Sequence, residues 1–336
     1  MRHPDADLSR LYRRFADEEF RGHSPLYEEL ARGVAGDGAI LDLLLTLPRE
    51  KRQPNLLFAA LRSLIGTPSD WPQFRAAVLG NAEPLRALML ARSTQTNEPA
   101  RCASLLPVLA LLPGPLALIE VGASAGLCLL PDRYAYDYGG RIVRPSRQHR
   151  EPPVFPCTVN AATPVPAVLP RIFWRAGLDI NPLDIADPSA MTWLETLVWP
   201  EQEARLARLR AAMAIAAEDP PRVIHGDLRH SLAGLAAEAP KDATLVIFHT
   251  AVLAYLSAGD RAEFARSVRD LCDFWVANEA PRVLPDNAAR TAPGAEGRFL
   301  LSVNGAPAGW TDPHGAALDW IAEPSQAWRP NGSWRC

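Results

Sequence analysis

The stretch LALIEVGASAGLCLL, residues 116–130, decides how this chain is read. Leu116–Val121 has the length and apolar content of a buried strand, and it runs straight into Gly122-Ala123-Ser124-Ala125-Gly126. The apolar residues that follow predict a helix carrying Cys128. In a parallel sheet, ligands bind outside the carboxyl ends of the strands, where a turn of small residues lets the backbone come close. Glycine also reaches positive φ at no steric cost.

Downstream, short apolar runs alternate with helical patterns. Strands are predicted at Leu116–Val121, Ile172–Ile180, Arg222–His225, Leu245–His249 and Phe274–Asn278. Helices are predicted at Glu201–Ala217, with Leu206, Leu209 and Met213 on one face, and at Asp260–Cys272. That alternation implies parallel crossovers and a doubly wound sheet. Arg298–Val303 and Leu318–Ala322, joined by a Gly/Pro loop, are expected to close it as an antiparallel pair. Eight prolines between 131 and 171 read as an insertion with a hairpin at Tyr138-Gly139-Gly140. Residues 1–112 lack a convincing strand, and Pro25, Gly36, Pro48, Pro54, Gly66 and Pro84 cut them into short helices. The expected fold class is therefore α/β: a Rossmann-like, mostly parallel sheet from residue 113 to 336, preceded by an α-helical domain, 1–112, that caps its carboxyl edge.

Composition narrows the function. With 48% hydrophobic and 22% charged residues among 336, a disordered or fibrous chain is excluded. The net charge of −3 offers no basic excess for nucleic acid, and 33 of the 35 basic residues are scattered arginines. Five cysteines without a CxxC pair suit a reducing compartment and oppose a disulfide framework or a thiolate zinc site. No H-E-x-x-H motif or P-loop is present, so no metal is expected. The charged N-terminus has no apolar core of a signal peptide. The uncharged run 102–119 is broken by Pro107, Pro113 and Pro115, which favours a helix end leading into a strand over a membrane helix. A cytoplasmic protein with a small-molecule substrate and no membrane partner is expected. Trp193, Trp199, Trp310, Trp320, Trp328 and Trp334 read as packing residues.

Three motifs compete for residues 120–126. A dinucleotide fingerprint would need glycine at 124 and 127, where Ser124 and Leu127 stand. Gly122-x-Ser124-x-Gly126 spells the nucleophile elbow of serine hydrolases, though it follows the first clear strand and no HGGG-type segment precedes it. Glu120-x-Gly122-x-Ser124-x-Gly126 resembles the E/D-x-G-x-G-x-G loop of class I methyltransferases, with serine at the middle glycine. Their cofactor, S-adenosylmethionine, carries an ammonium group that an acidic strand end would suit. Asp179, ending the second strand, is placed to accept ribose hydroxyls, and Asp227, past the third, to meet the adenine amino group. Each aspartate is equally readable as a loop cap.

The strings EVGASAGLCLLPDRYAYDYGG (120–140), GLDINPLDIADP (177–188), VWPEQEARLARLRAA (198–212) and FHTAVLAYL (248–256) resemble the bacterial domain-of-unknown-function family 2332. The resemblance runs from about Thr94 nearly to the C-terminus, and the helical N-terminus is similar too. It implies a methyltransferase-like Rossmann fold and no particular reaction.

The expected function is an S-adenosylmethionine-dependent methyltransferase acting on a small acceptor. Glu120, Gly122, Ser124, Gly126, Asp179 and Asp227 would hold the cofactor. His249, ending the fourth strand, would be base or orienter, unless it is a buried core histidine. Asn278 and Glu279 would orient the substrate. Arg101, near Gln95, Asn97 and Glu98, would reach the cofactor carboxylate or dock the helical region. The alternatives are a serine hydrolase at Ser124 and a silent binder of the same nucleoside.

Overall fold

A computed structural model of the chain describes residues 4–95, 97–146, 150–323, 328 and 330. They form two compact units. One comprises the described residues up to 95 together with 188–207, and the other comprises 97–187 and the described residues from 208 onward. The division at 96/97 lies upstream of the change in sequence rhythm near 113, so the helix Arg101–Leu111 belongs with the sheet.

The first unit is helical, and its breakers serve as caps. Ser24 accepts from the Tyr27 amide at the head of Pro25–Gly36, Asp37 from Ile40 at the head of Gly38–Leu45, and Asp70 from Gln73 at the head of Trp71–Gly80. Each satisfies an amide that the first helical turn leaves without a partner. Tyr12, Phe20, Tyr27, Phe58 and Phe74 fill the core. Trp193 and Trp199 join it from the helix Pro188–Leu197 and the turn after it.

The second unit is a mixed α/β structure on a large, mostly parallel sheet. Its strands are β1 (Leu116–Val121), β2 (Ala135–Tyr138), β3 (Arg141–Val143), β4 (Val154–Pro156), β5 (Thr158–Val159), β6 (Ile172–Asp179), β7 (Val223–His225), β8 (Thr244–Thr250), β9 (Phe274–Glu279), β10 (Phe299–Val303), β11 (Ala306–Thr311) and β12 (Ala317–Trp320). Nine of them pair in the order β5-β12-β11-β10-β9-β8-β1-β6-β7, while β3-β2-β4 form a small separate sheet. The five strands β7-β6-β1-β8-β9 are parallel. From β1 the chain moves to β6 and β7 on one side, then returns to build β8 and β9 on the other. The order therefore reverses between β1 and β8.

Two local expectations are corrected. Leu127–Leu129 is a single 3₁₀ turn and not the start of a helix, so Cys128 lies in that turn. Pro131 follows immediately, and its ring disfavours helical backbone at Leu130. The segment then folds through the expected hairpin, with Gly139 and Gly140 both at positive φ between β2 and β3. At the other end, β10 and β12 do not pair, because β11 lies between them as an antiparallel partner of both. Asn304 and Gly305, at φ 51° and 79°, make the tight turn from β10 to β11. Asn-Gly suits such a turn because both residues tolerate left-handed backbone.

The tryptophans pack as expected where they are described, Trp310 and Trp320 being buried and Trp328 meeting Trp320 edge-on. Trp334 lies outside the described residues. Among these residues no helix is long and apolar enough to cross a membrane.

The β10–β11 turn is testable. A Cβ added at Gly305 would sit 2.6 Å from Arg269 Nη2, on left-handed backbone. Gly305→Ala should cost about 1–2 kcal/mol and lower Tm by several degrees in calorimetry. An unchanged Tm would contradict this turn.

Candidate functional site

The alternation of side chains sorts the candidates between the two faces of the sheet. Glu120 is level with Phe248 and Gly177, whereas Val121 is level with His249 and Leu178. Thr250 in turn is level with Asn278, and His249 with Ala277. Glu120, Asp179, Thr250 and Asn278 therefore share one face, and His249 and Glu279 share the other.

On the Glu120 face the reversal point is enclosed by two strained turns. Gly122, Ser124 and Gly126 all have positive φ, at 74°, 52° and 75°. For serine this backbone is costly, and such residues persist only where the surroundings over-determine them. Here the Ser124 amide donates to Asp179 Oδ2 at 2.8 Å, and its carbonyl accepts from the Leu183 amide at 3.1 Å. Asn97 clasps the loop from upstream, donating to the Ala123 carbonyl (3.1 Å) and accepting from the Leu127 amide (3.0 Å). At the end of β8, Ala251 also has positive φ, 57°. It is bracketed by the Arg101 Nη1 bonds to the Thr250 carbonyl and hydroxyl, both 3.2 Å, and by its own amide donating to the Asn278 carbonyl at 3.1 Å. Arg101 Nε donates to the Pro313 carbonyl as well. Val252 completes the contact between the two turns: a Cβ on Gly122 would lie 2.3 Å from its Cγ2.

Four buried polar atoms on these elements have no hydrogen-bond partner: Glu120 Oε2, Ser124 Oγ and Asn278 Nδ2 on this face, and Glu279 Oε2 on the other. Glu120 is 2% exposed and Asn278 fully buried. Burial pushes the Glu120 carboxyl well above the usual range. The Cys128 thiol and the Asp179 carboxylate add to the shift, and the Arg101 guanidinium opposes it. The arrangement is one of donors and acceptors held ready at a sheet edge, which is what a ligand site requires.

The remaining candidates are placed differently. His249, fully buried, stacks on Trp275 and meets Phe264 in the core of the opposite face. The Trp275 indole N–H can only donate, so His249 Nε2 accepts it (2.9 Å), and Nδ1–H donates to Glu279 Oε1 (2.8 Å). Both ring nitrogens are engaged, so the role of base assigned to His249 is corrected to a core role. Glu279 Oε1 also accepts from the Val252 and Leu253 amides, at 2.9 and 3.0 Å. Its task is to fix the turn after β8, and it does not face Glu120. Asp227 caps the helix Leu228–Ala237 and binds Arg229. The Arg229 guanidinium and amide hold its carboxyl down at about 2. Capping, one of its two readings, is the role its contacts give it.

The serine-hydrolase alternative lacks its base, since Ser124 Oγ touches no hydrogen-bonding group. Sequence reasoning did not assign Thr250, Ala251 or Thr311. Nothing in a lone sequence marks an alanine as left-handed, and the two threonines gain meaning only from the register.

Two stability measurements check these assignments. His249→Ala strands the Trp275 donor and the Glu279 acceptor, and should cost about 3 kcal/mol in urea unfolding. A cost within experimental error would remove its core role. Glu120 behaves oppositely. In the unfolded chain it ionises near pH 4.3, while the folded protein holds its proton to higher pH, so folding loses about 1.4 kcal/mol per pH unit between the two values. Glu120→Gln should therefore be more stable than the parent at pH 8 and gain little at pH 4.

Comparison with known proteins adds the family. Residues 9–320 match the model of a family described as an uncharacterized protein conserved in bacteria, DUF2332. No curated protein and no solved structure matches the chain. With the match spanning nearly the whole sequence, and the strings around Glu120, Asp179 and His249 within it, the chain belongs to the DUF2332 family.

Proposed function

We propose that the protein binds S-adenosylmethionine at the β1–β8 reversal point and is a methyltransferase for a small acceptor. The observation that carries this reading is Glu120, a buried carboxyl whose Oε2 has no partner beside a glycine turn. An ammonium group supplies both the charge and the donors which that oxygen lacks. The strand order β7-β6-β1-β8-β9 supports a Rossmann-like core, in which such a crevice takes nucleosides. The left-handed backbone of Ser124 also accords with the motif, since related loops place glycine there.

The fit can be taken residue by residue. Glu120 would hold the ammonium end, and Ser124 Oγ is open to a further hydrogen bond. Asp179 accepts one amide on each oxygen, from Ser124 and Asn181. A carboxylate oxygen has two lone pairs, so both remain able to accept a ribose hydroxyl. Ile180, 70% exposed directly after it, offers apolar surface for a nucleobase. Asp227 and Arg101 fit less well, because the contacts above already engage them. When bound, the cofactor supplies a sulfonium methyl group. The chain's share is positioning and exclusion of water.

Calorimetry with S-adenosylhomocysteine tests the reading. An ammonium group lowers the Glu120 pKa again, so binding should release a proton, and the heat should change between buffers of different ionisation enthalpy. Affinity should rise with pH through the Glu120 titration. Glu120→Gln should abolish the proton release and weaken binding by about 10- to 100-fold. Absence of heat from folded protein at millimolar ligand would overturn the proposal.

A further inference from the structure

Asn278 ends its strand with an amide that is only half used. Thr311 Oγ1 donates to its Oδ1 at 2.7 Å, while Nδ2, fully buried, donates to nothing. A buried donor without an acceptor costs about 1–3 kcal/mol, and in native proteins such a group calls for a partner. The partner it needs is an acceptor oxygen. Its surroundings decide which kind: Thr250, its neighbour in register on β8, carries Arg101 Nη1 on both its carbonyl and its hydroxyl. A buried guanidinium this close favours an ionised oxygen over a neutral one.

The position suits a second ligand. Asn278 and Glu120 lie on the same face, two strands apart across β8 and two residues apart along the sheet. At ordinary spacings that is about 10 Å across and about 7 Å along, the separation that two small groups meeting over the end of β8 would span.

We infer that Asn278, backed by Thr250, Thr311 and Arg101, is the binding point for a carboxylate of the methyl acceptor. This deepens the proposed function and rests on it for the identity of the second ligand as acceptor. A carboxylate oxygen that takes the methyl group forms its O–C bond as the methyl–sulfur bond breaks. The bond pair stays on sulfur, the two opposite charges cancel, and no proton has to leave. The product is a methyl ester.

The test reads the Asn278 side-chain amide by ¹⁵N–¹H NMR, its resonances assigned by their loss in Asn278→Leu. Acetate, acetamide and methylammonium are titrated separately, with and without S-adenosylhomocysteine. Acetate should shift these resonances saturably and at least about tenfold more tightly than acetamide, and the acetate response of the Thr250 and Thr311 backbone amides, followed in parallel, should be lost in Asn278→Asp. Equal binding of acetamide, a preference for methylammonium, no acetate shift, or an acetate response retained in Asn278→Asp would each overturn the inference. Heat from S-adenosylhomocysteine without an acetate shift removes the carboxylate subsite alone. An acetate shift without that heat removes the methyltransferase reading, and with it the role of acceptor.

Discussion

Glu120 reaches the end of β1 out of water, with one carboxyl oxygen facing no donor. An ionised carboxylate in that position would cost several kcal/mol. Keeping it neutral avoids the charge and still leaves a polar group unpaired. The surrounding structure accepts this expense and holds the group in place with a rigid frame. Asn97 and Asp179 fix the turn after β1, and Arg101, Asn278 and Glu279 fix the turn after β8. Left-handed Ser124 and Ala251 sit at the two mouths of the same reversal point. Strain and unpaired polarity gathered at one sheet edge accord with preorganisation for a ligand.

On the opposite face His249 is a satisfied polar group by contrast, while Glu279 Oε2 beside it has no partner. His249 has a donor, an acceptor and two aromatic neighbours, and its face is packed by Leu232, Leu235, Phe264 and Val268. The His249–Glu279 pair is tied to the turn after β8 through the amides of Val252 and Leu253, which Glu279 holds. Its contribution is geometric. It holds in place the segment whose Val252 packs against Gly122.

Much of this was legible in the sequence, because the parallel strands are short apolar runs bounded by helical patterns. Each of the five was found to within two residues. The face of each side chain was not legible. His249 and Glu120 both end strands, and only the register, one residue apart, separates core from crevice. β11 was missed because Pro307 and Gly309 disguise APAGWT as a loop, although Asn304-Gly305 was a hairpin signal in plain view. The helix expected after Gly126 followed from apolar content alone, which does not distinguish a 3₁₀ turn from a longer helix. Asp227 illustrates a further limit, since an acidic strand end and a helix cap are the same residue until its neighbours are known.

The core of the helical unit draws Trp193 and Trp199 from a segment that follows β6, more than ninety residues downstream of that unit's helix Ala82–Ala91. A ribosome releases this chain from its N-terminus, so those two indoles emerge only after β1 and β6 have been made. Until then Phe20 and Tyr27 lack part of their cover. The first unit therefore cannot complete its core until β1 and β6 have been made, although it still completes before the second unit, whose sheet ends with β12.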